Sequence, residues 1–143
     1  MVRILFICHG NICRSVMAQC ILQDLVQKAG LAGQFEIDSG AVSREEIGNP
    51  IYPPARRELG QHGVTVLEHR ARQVTEADYR YFDRLYYMDS SNRRYLERML
   101  PRDPEKIRPL LSRDVADPWY TGDFEKTYCD LAAGCQAILE ELR

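Results

Sequence analysis

A short, nearly unbroken apolar run near the start, Val2-Arg3-Ile4-Leu5-Phe6-Ile7, constrains this chain more than any other feature. It is rich in β-formers and does not alternate with polar residues. Such a run suits a strand buried on both faces, as in a parallel sheet covered by helices. After Cys8-His9-Gly10-Asn11-Ile12-Cys13-Arg14-Ser15 the apolar spacing changes. Met17, Ile21, Leu22, Leu25, Val26 and Ala29 then recur at helical intervals, and Gly30 closes the pattern. A buried strand therefore feeds a helix through one short loop.

The same alternation continues down the chain. Phe35–Ser39 reads as a second strand and Pro53–His62 as a short helix ending at Gly63. Thr75-Glu76-Ala77-Asp78 offers a capping-box start for a further helix. Arg84–Met88 reads as a third strand, and Asp89 or Ser90 can cap a helix running to about Leu100. Lys106–Leu111 is a fourth strand that Pro109 confines to an edge. Asp123 caps a last helix, whose stripe is Phe124, Tyr128, Leu131, Cys135, Ile138 and Leu142. This order predicts an α/β three-layer sandwich with a central, mostly parallel four-stranded sheet and helices on both faces. With 143 residues, positions 1–143 are expected to form one domain. Ligands in such sheets bind beyond the carboxyl ends of the strands, which directs attention to the loop after the first strand.

Composition removes several alternatives. Nineteen Lys and Arg against twenty-one Asp and Glu give a net charge of −2, which argues against a broad nucleic-acid surface. No apolar run approaches the roughly 18 residues of a membrane span. The first residues lack the apolar stretch and cleavage site of a secretory leader, so a cytoplasmic protein is expected. Cys8, Cys13, Cys20, Cys129 and Cys135 make an odd count, which argues against a disulfide scaffold. Neither these nor the scattered His9, His62 and His69 have metal-ligand spacing, so no metal or other cofactor is expected. Cys20 and Cys135 fall with the buried stripes, whereas Cys129 falls off its stripe.

The loop itself carries chemistry. Backbone N–H groups at a helix N-terminus have no intrahelical partners and make an anion cradle. Gly10 and Asn11 are residue types that tolerate the left-handed turns such a cradle needs. A thiol held above a helix N-terminus is favoured as its thiolate, which suits Cys8 to nucleophilic attack. Arg14 offers a planar fork for two phosphate oxygens, and Ser15 can donate to the thiolate. Residues 9–14 (His9, Gly10, Asn11, Ile12, Cys13 and Arg14) are thus the expected phosphate-binding loop. His9 adds a group that can carry charge near pH 6–7.

Here the chain resembles the low-molecular-weight protein tyrosine phosphatases. The likeness rests on Cys8-His9-Gly10-Asn11-Ile12-Cys13-Arg14-Ser15 and the late Asp117-Pro118-Trp119-Tyr120. Between them, Phe35–Ser39, Glu46–Pro50, His69–Gln73 and Met88–Asn92 look like family segments in family order. The resemblance implies hydrolysis of phosphotyrosine and aryl phosphates through a phosphocysteine, with Cys8 as nucleophile and Arg14 as clamp. It implies that Asp117 is general acid and then base; alone, an Asp before Pro reads as a turn residue. It also implies a supporting network of Asn11, Ser15, Ser39 and His69. Cys13 becomes the redox partner of Cys8, in a reversible disulfide. Trp119 and Tyr120, which alone read as an apolar anchor for the last helix, become substrate walls with Ile12 and Glu45. The expected partners are phosphotyrosine proteins, and phosphate or other oxyanions as inhibitors.

Three departures stand out. Val16 replaces the usual proline after the loop serine, at an expected cost in stiffness rather than chemistry. Glu45 occupies a wall position where relatives carry an aromatic, which bears on substrate preference. His9 stands where many relatives carry Leu, Thr or Val. Arsenate reductases share the loop but need further cysteines near the third strand, and Leu85–Leu100 has none. Arginine phosphatases carry Thr where Ile12 stands, and Ile12 suits a phenyl ring. A catalytically silent phosphate-binding module is the reading from another class, and the presence of Cys8 and Arg14 argues against it.

Overall fold

The computed structural model describes residues 1–143. Strand β1 (Val2–Cys8) lies inside a sheet of order β2-β1-β3-β4, with β2 (Phe35–Ala41), β3 (Arg84–Tyr87) and β4 (Ile107–Pro109). All three pairings are parallel, so the sheet is wholly rather than mostly parallel. The apolar run explains the placement of β1. Ile4, Phe6 and Cys8 enter the larger core, while Leu5 and Ile7 enter a second core on the opposite face. Ile4, Leu5, Phe6 and Ile7 are completely buried. Each large apolar side chain so buried contributes about 1.5–3 kcal/mol.

Helices α1 (Arg14–Lys28) and α6 (Phe124–Leu142) cover the larger core, with α2 (Pro53–Gln61) beside them. The other face is closed by α4 (Ser90–Met99) and by Val74 and Phe82, which flank α3 (Glu76–Tyr81). The expected capping box of Thr75 with Asp78 starts α3; of the two candidate caps for α4 Asp89 serves, and Asn92 completes a capping box there too. Asp123 caps α6, and the expected stripe of α6 packs inward. Strand β4 is a three-residue edge strand containing Pro109, shorter than expected.

Three local features differ from the sequence reading. Strand β2 continues through Gly40 and Ala41, which pair with Ile7 and Cys8. A Cβ at Gly40 would meet the Arg72 carbonyl at 3.5 Å, an ordinary contact, so residues 72–74 lie close alongside the strand here. Helix α1 is not a simple amphipathic helix, since Arg14–Leu22 are all buried between the sheet, α2 and α6. Residues Pro118–Thr121 form a short helix, α5, that no periodicity could announce. Asp117 caps it, and Gly122 ends it at φ 72°.

Candidate active site

The loop from β1 to α1 turns on Asn11, the one non-glycine residue with positive φ, at 62°. Asparagine tolerates that region, and its buried side chain repays the strain with four contacts. The directions of those contacts follow from one fixed donor. The Arg72 backbone N–H donates to Asn11 Oδ1 at 3.2 Å, which fixes how the amide faces. His69 Nε2, 2.7 Å from the same oxygen, must then carry its proton. Asn11 Nδ2 donates to Ser15 Oγ at 2.7 Å and Ser39 Oγ at 3.0 Å. Each serine proton is left free to point elsewhere. That of Ser15 points to Cys8 Sγ at 3.0 Å, and that of Ser39 to Gln19 Oε1 at 2.6 Å.

The structure thus brings together Asn11, Ser15, Ser39 and His69. It adds Gln19, which no local motif marked, and Arg72, which lay within the His69–Gln73 segment without an assigned role. Arg72 is anchored by Asp38 and Asp78. Burial pushes the His69 imidazole below its ordinary value; nearby Asp38 opposes this and Arg72 adds to it. The Asn11 backbone N–H also points at Cys8 Sγ, 3.3 Å away, so two donors face the sulfur. Cys13 supplies no side-chain cap to α1, so the first N–H groups of the helix face the loop uncapped.

Gly10 plays a different part from the one its type suggested. Its φ is not positive, so it makes no left-handed turn. A Cβ there would lie 3.3 Å from Glu46 Cγ, so glycine gives the Glu46 side chain room against the loop.

Arg14 is 2% exposed, yet its guanidinium is well partnered. Nη1 donates to Asp89 Oδ2 at 2.6 Å and to the Val115 carbonyl at 2.8 Å. Nη2 lies 3.4 Å from Asp117 Oδ2. Burial disfavours the cation, but facing Cys8, Asp89 and Asp117 raise Arg14 above its ordinary value. Asp89 was legible only as a helix cap. One of its oxygens caps α4 through the Asn92 N–H, and the other holds Arg14.

Around these groups lies a cavity of about 140 Å3. It is lined by Cys8, His9, Gly10, Ile12, Cys13 and Arg14 from the loop, by Glu45 and Glu46 from the segment after β2, and by Asp117, Trp119 and Tyr120 at α5. Asn11 lies behind the loop and contributes no lining. Asp117 Oδ1 accepts from the Trp119 N–H at 3.1 Å, so α5 aims acid and aromatic together. Tyr52, unmarked in the sequence, packs against Trp119 with ring centroids 4.8 Å apart and the planes tilted by 49°. Its N–H donates to the Ile12 carbonyl, so it joins Trp119 to the loop. His9 Nε2 meets Glu45 Oε2 at 3.1 Å. Cys13 is buried, and burial first, then Cys8 and Asp117, push its thiol up. Cys20 and Cys135 are buried and Cys129 exposed, as expected. No group of three or more His, Cys, Asp or Glu side chains gathers as a metal ion would require.

A sulfur that faces two hydrogen-bond donors beside a buried guanidinium, in a cavity also lined by Asp117 and two aromatic side chains, is equipped to take an aryl phosphate. Known proteins bear on this. The family model described as low molecular weight phosphotyrosine protein phosphatase matches residues 3–143. The Bacillus subtilis low molecular weight protein-tyrosine-phosphatase YfkJ is 36% identical over 151 aligned positions, covering 100% of this chain and 97% of that one. Its crystal structure superposes with a TM-score of 0.95 at 37% identity, over 99% of this chain and 94% of that one. The human low molecular weight phosphotyrosine protein phosphatase is 36% identical, over 96% of this chain and 94% of its own. A Drosophila arginine phosphatase has the same fold, with a TM-score of 0.87, 30% identity and coverage of 98% and 97%. The chain belongs to the low-molecular-weight phosphotyrosine protein phosphatase family.

Proposed function

We propose that this chain is a protein-tyrosine phosphatase that hydrolyses phosphotyrosine and aryl phosphates through a phosphocysteine. One observation carries the reading: Cys8 Sγ, fed by Ser15 and the Asn11 N–H, shares one cavity with Arg14, Asp117 and two aromatic side chains. In the first step the Cys8 thiolate attacks phosphorus, and the phenolic oxygen leaves with a proton from Asp117. Backbone N–H groups of residues 9–14 and the Arg14 fork neutralise the equatorial oxygens. In the second step Asp117 takes a proton from water, the water oxygen bonds phosphorus, and Cys8 leaves as thiolate. The Ser15 hydroxyl stabilises that leaving sulfur. Ile12, Trp119 and Tyr120 enclose the ring, and phosphate or another oxyanion competes for the loop.

The finer assignments belong to the same proposal. Residues 1–143 act as one domain, since both cores rest on one sheet. Cys13 lines the same cavity as Cys8 and serves as its redox partner under oxidation. Five free cysteines fit a reducing, cytoplasmic setting. No helix is long and apolar enough to cross a membrane.

The test is steady-state hydrolysis with chelator present. Phosphotyrosine, phosphoarginine and phosphoserine peptides are compared for wild type, Cys8→Ser and Asp117→Ala. Turnover should favour phosphotyrosine, vanish in Cys8→Ser and fall about a hundred- to ten-thousand-fold in Asp117→Ala. Phosphate binding without turnover of any peptide would leave a phosphate-binding module instead.

A further inference from the structure

Two kinds of side chain line the cavity above the loop's own residues: the aromatic pair Trp119 and Tyr120, and the acidic pair Glu45 and Glu46. No lysine or arginine neutralises the acidic pair. Arg44, next in sequence, is held by Gln73 at 3.1 Å. Arg70 donates to the Gly48 carbonyl, and Arg72 is paired with Asp38 and Asp78.

The two carboxylates are not equivalent. Glu46 accepts from Asn49 Nδ2 at 2.6 Å, and its stem lies against Gly10. The Glu45 carboxylate has His9 as its one hydrogen-bond partner, and the side chain stays 68% exposed. The edge of Tyr95 packs on the His9 ring at 5.8 Å, so the group that holds Glu45 is itself held.

A phosphoryl dianion on Cys8 and Arg14 shares this cavity with both carboxylates. Their repulsion opposes a phosphate ester, and a cation carried by the substrate to the same place relieves it. An arginine or lysine next to the phosphotyrosine supplies it, and an aspartate or glutamate there adds a further like charge. We propose, resting on the phosphotyrosine reading, that Glu45 selects phosphotyrosine flanked by a basic residue, with Glu46 as the lesser contributor.

The experiment uses matched phosphotyrosine peptides bearing Arg, Ala or Glu on either side of the phosphotyrosine. kcat/KM is measured at low and high salt for wild type, Glu45→Gln and the Glu45→Gln/Glu46→Gln pair. The Arg peptide should exceed the Glu peptide by about tenfold at low salt in wild type. That ratio should fall to about threefold in Glu45→Gln, fall further in the pair, and shrink with salt. Equal kcat/KM for the three peptides in wild type, or a ratio that survives both substitutions, overturns the proposal and leaves the phosphatase reading intact. Hydrolysis of none of the peptides overturns both.

Discussion

Replacing Asp89 by Asn separates two jobs that one side chain performs. Asparagine is as good an N-cap as aspartate, so the bond from the Asn92 N–H survives and α4 keeps its start. What disappears is the charge and the acceptor together: with the cap kept, the amide Nδ2, a donor, stands where Oδ2 accepted from Arg14 Nη1 at 2.6 Å. Removing one partner of a fully buried ion pair costs about 3–5 kcal/mol. Here the cost is smaller, because Asp89 is 18% exposed and Arg14 keeps the Val115 carbonyl and, at 3.4 Å, Asp117. About 2 kcal/mol remains. For a chain of this size that lowers Tm by about 6–8 °C. The guanidinium, released on one side, is drawn toward Asp117, which ties up the acid and misaims the clamp. kcat on an aryl phosphate should fall about tenfold or more. Inorganic phosphate, which brings its own charge to Arg14, should stabilise Asp89→Asn more than wild type. Urea unfolding, calorimetry with and without phosphate, and steady-state kinetics read all three. A stability loss below about 0.5 kcal/mol together with unchanged kcat would refute the buried-pair argument.

Two further predictions concern stability. Burial lowers the folded-state value of His69 below that of the unfolded chain, about 6.5, so the native state binds fewer protons at this site. The associated stability is complete above pH 6.5 and is lost as pH falls from there through the lower folded value. His69→Gln should therefore flatten the pH dependence of urea unfolding between about pH 7 and pH 5; parallel curves for variant and wild type would contradict this. On α6, a Cβ at Gly134 would stand 2.5 Å from Leu110 Cγ and 2.7 Å from Leu110 Cδ1. Gly134→Ala should therefore cost about 1–2 kcal/mol despite alanine's better helix propensity, and a more stable variant would show that the loop after β4 yields freely.

What was legible in the sequence is what local pattern encodes. The run Ile4–Ile7 marked a strand buried on both faces because both cores need its alternate side chains. The loop Cys8–Ser15 was legible because its residue types serve one chemistry over a short span. The partners that arrive from far along the chain were not. Asp89 lies 75 residues from Arg14, and its cap role masked the second oxygen. Gln19 sits on a helix whose first half is buried all round, so no amphipathic contrast singled it out. Tyr52 supports Trp119 across 67 residues through a tilted ring contact, which leaves no spacing rule to read. Helix α5 is too short for periodicity, and its only mark was the Asp-Pro pair that caps it. Gly10 was read by residue type alone, whereas the side chain it accommodates, that of Glu46, comes from far along the chain.

The central claim is that Cys8 carries the phosphoryl group between two half-reactions. Asp117→Ala, slow in both steps, is mixed with an aryl phosphate of low leaving-group pKa, whose departure needs no proton. The reaction is quenched in acid within a turnover, digested and examined by mass spectrometry. The account predicts one added phosphoryl group on the peptide containing Cys8, removed on longer incubation and absent from Cys8→Ser. Turnover with no phosphoryl group on that peptide, or with one on any other residue, would contradict it.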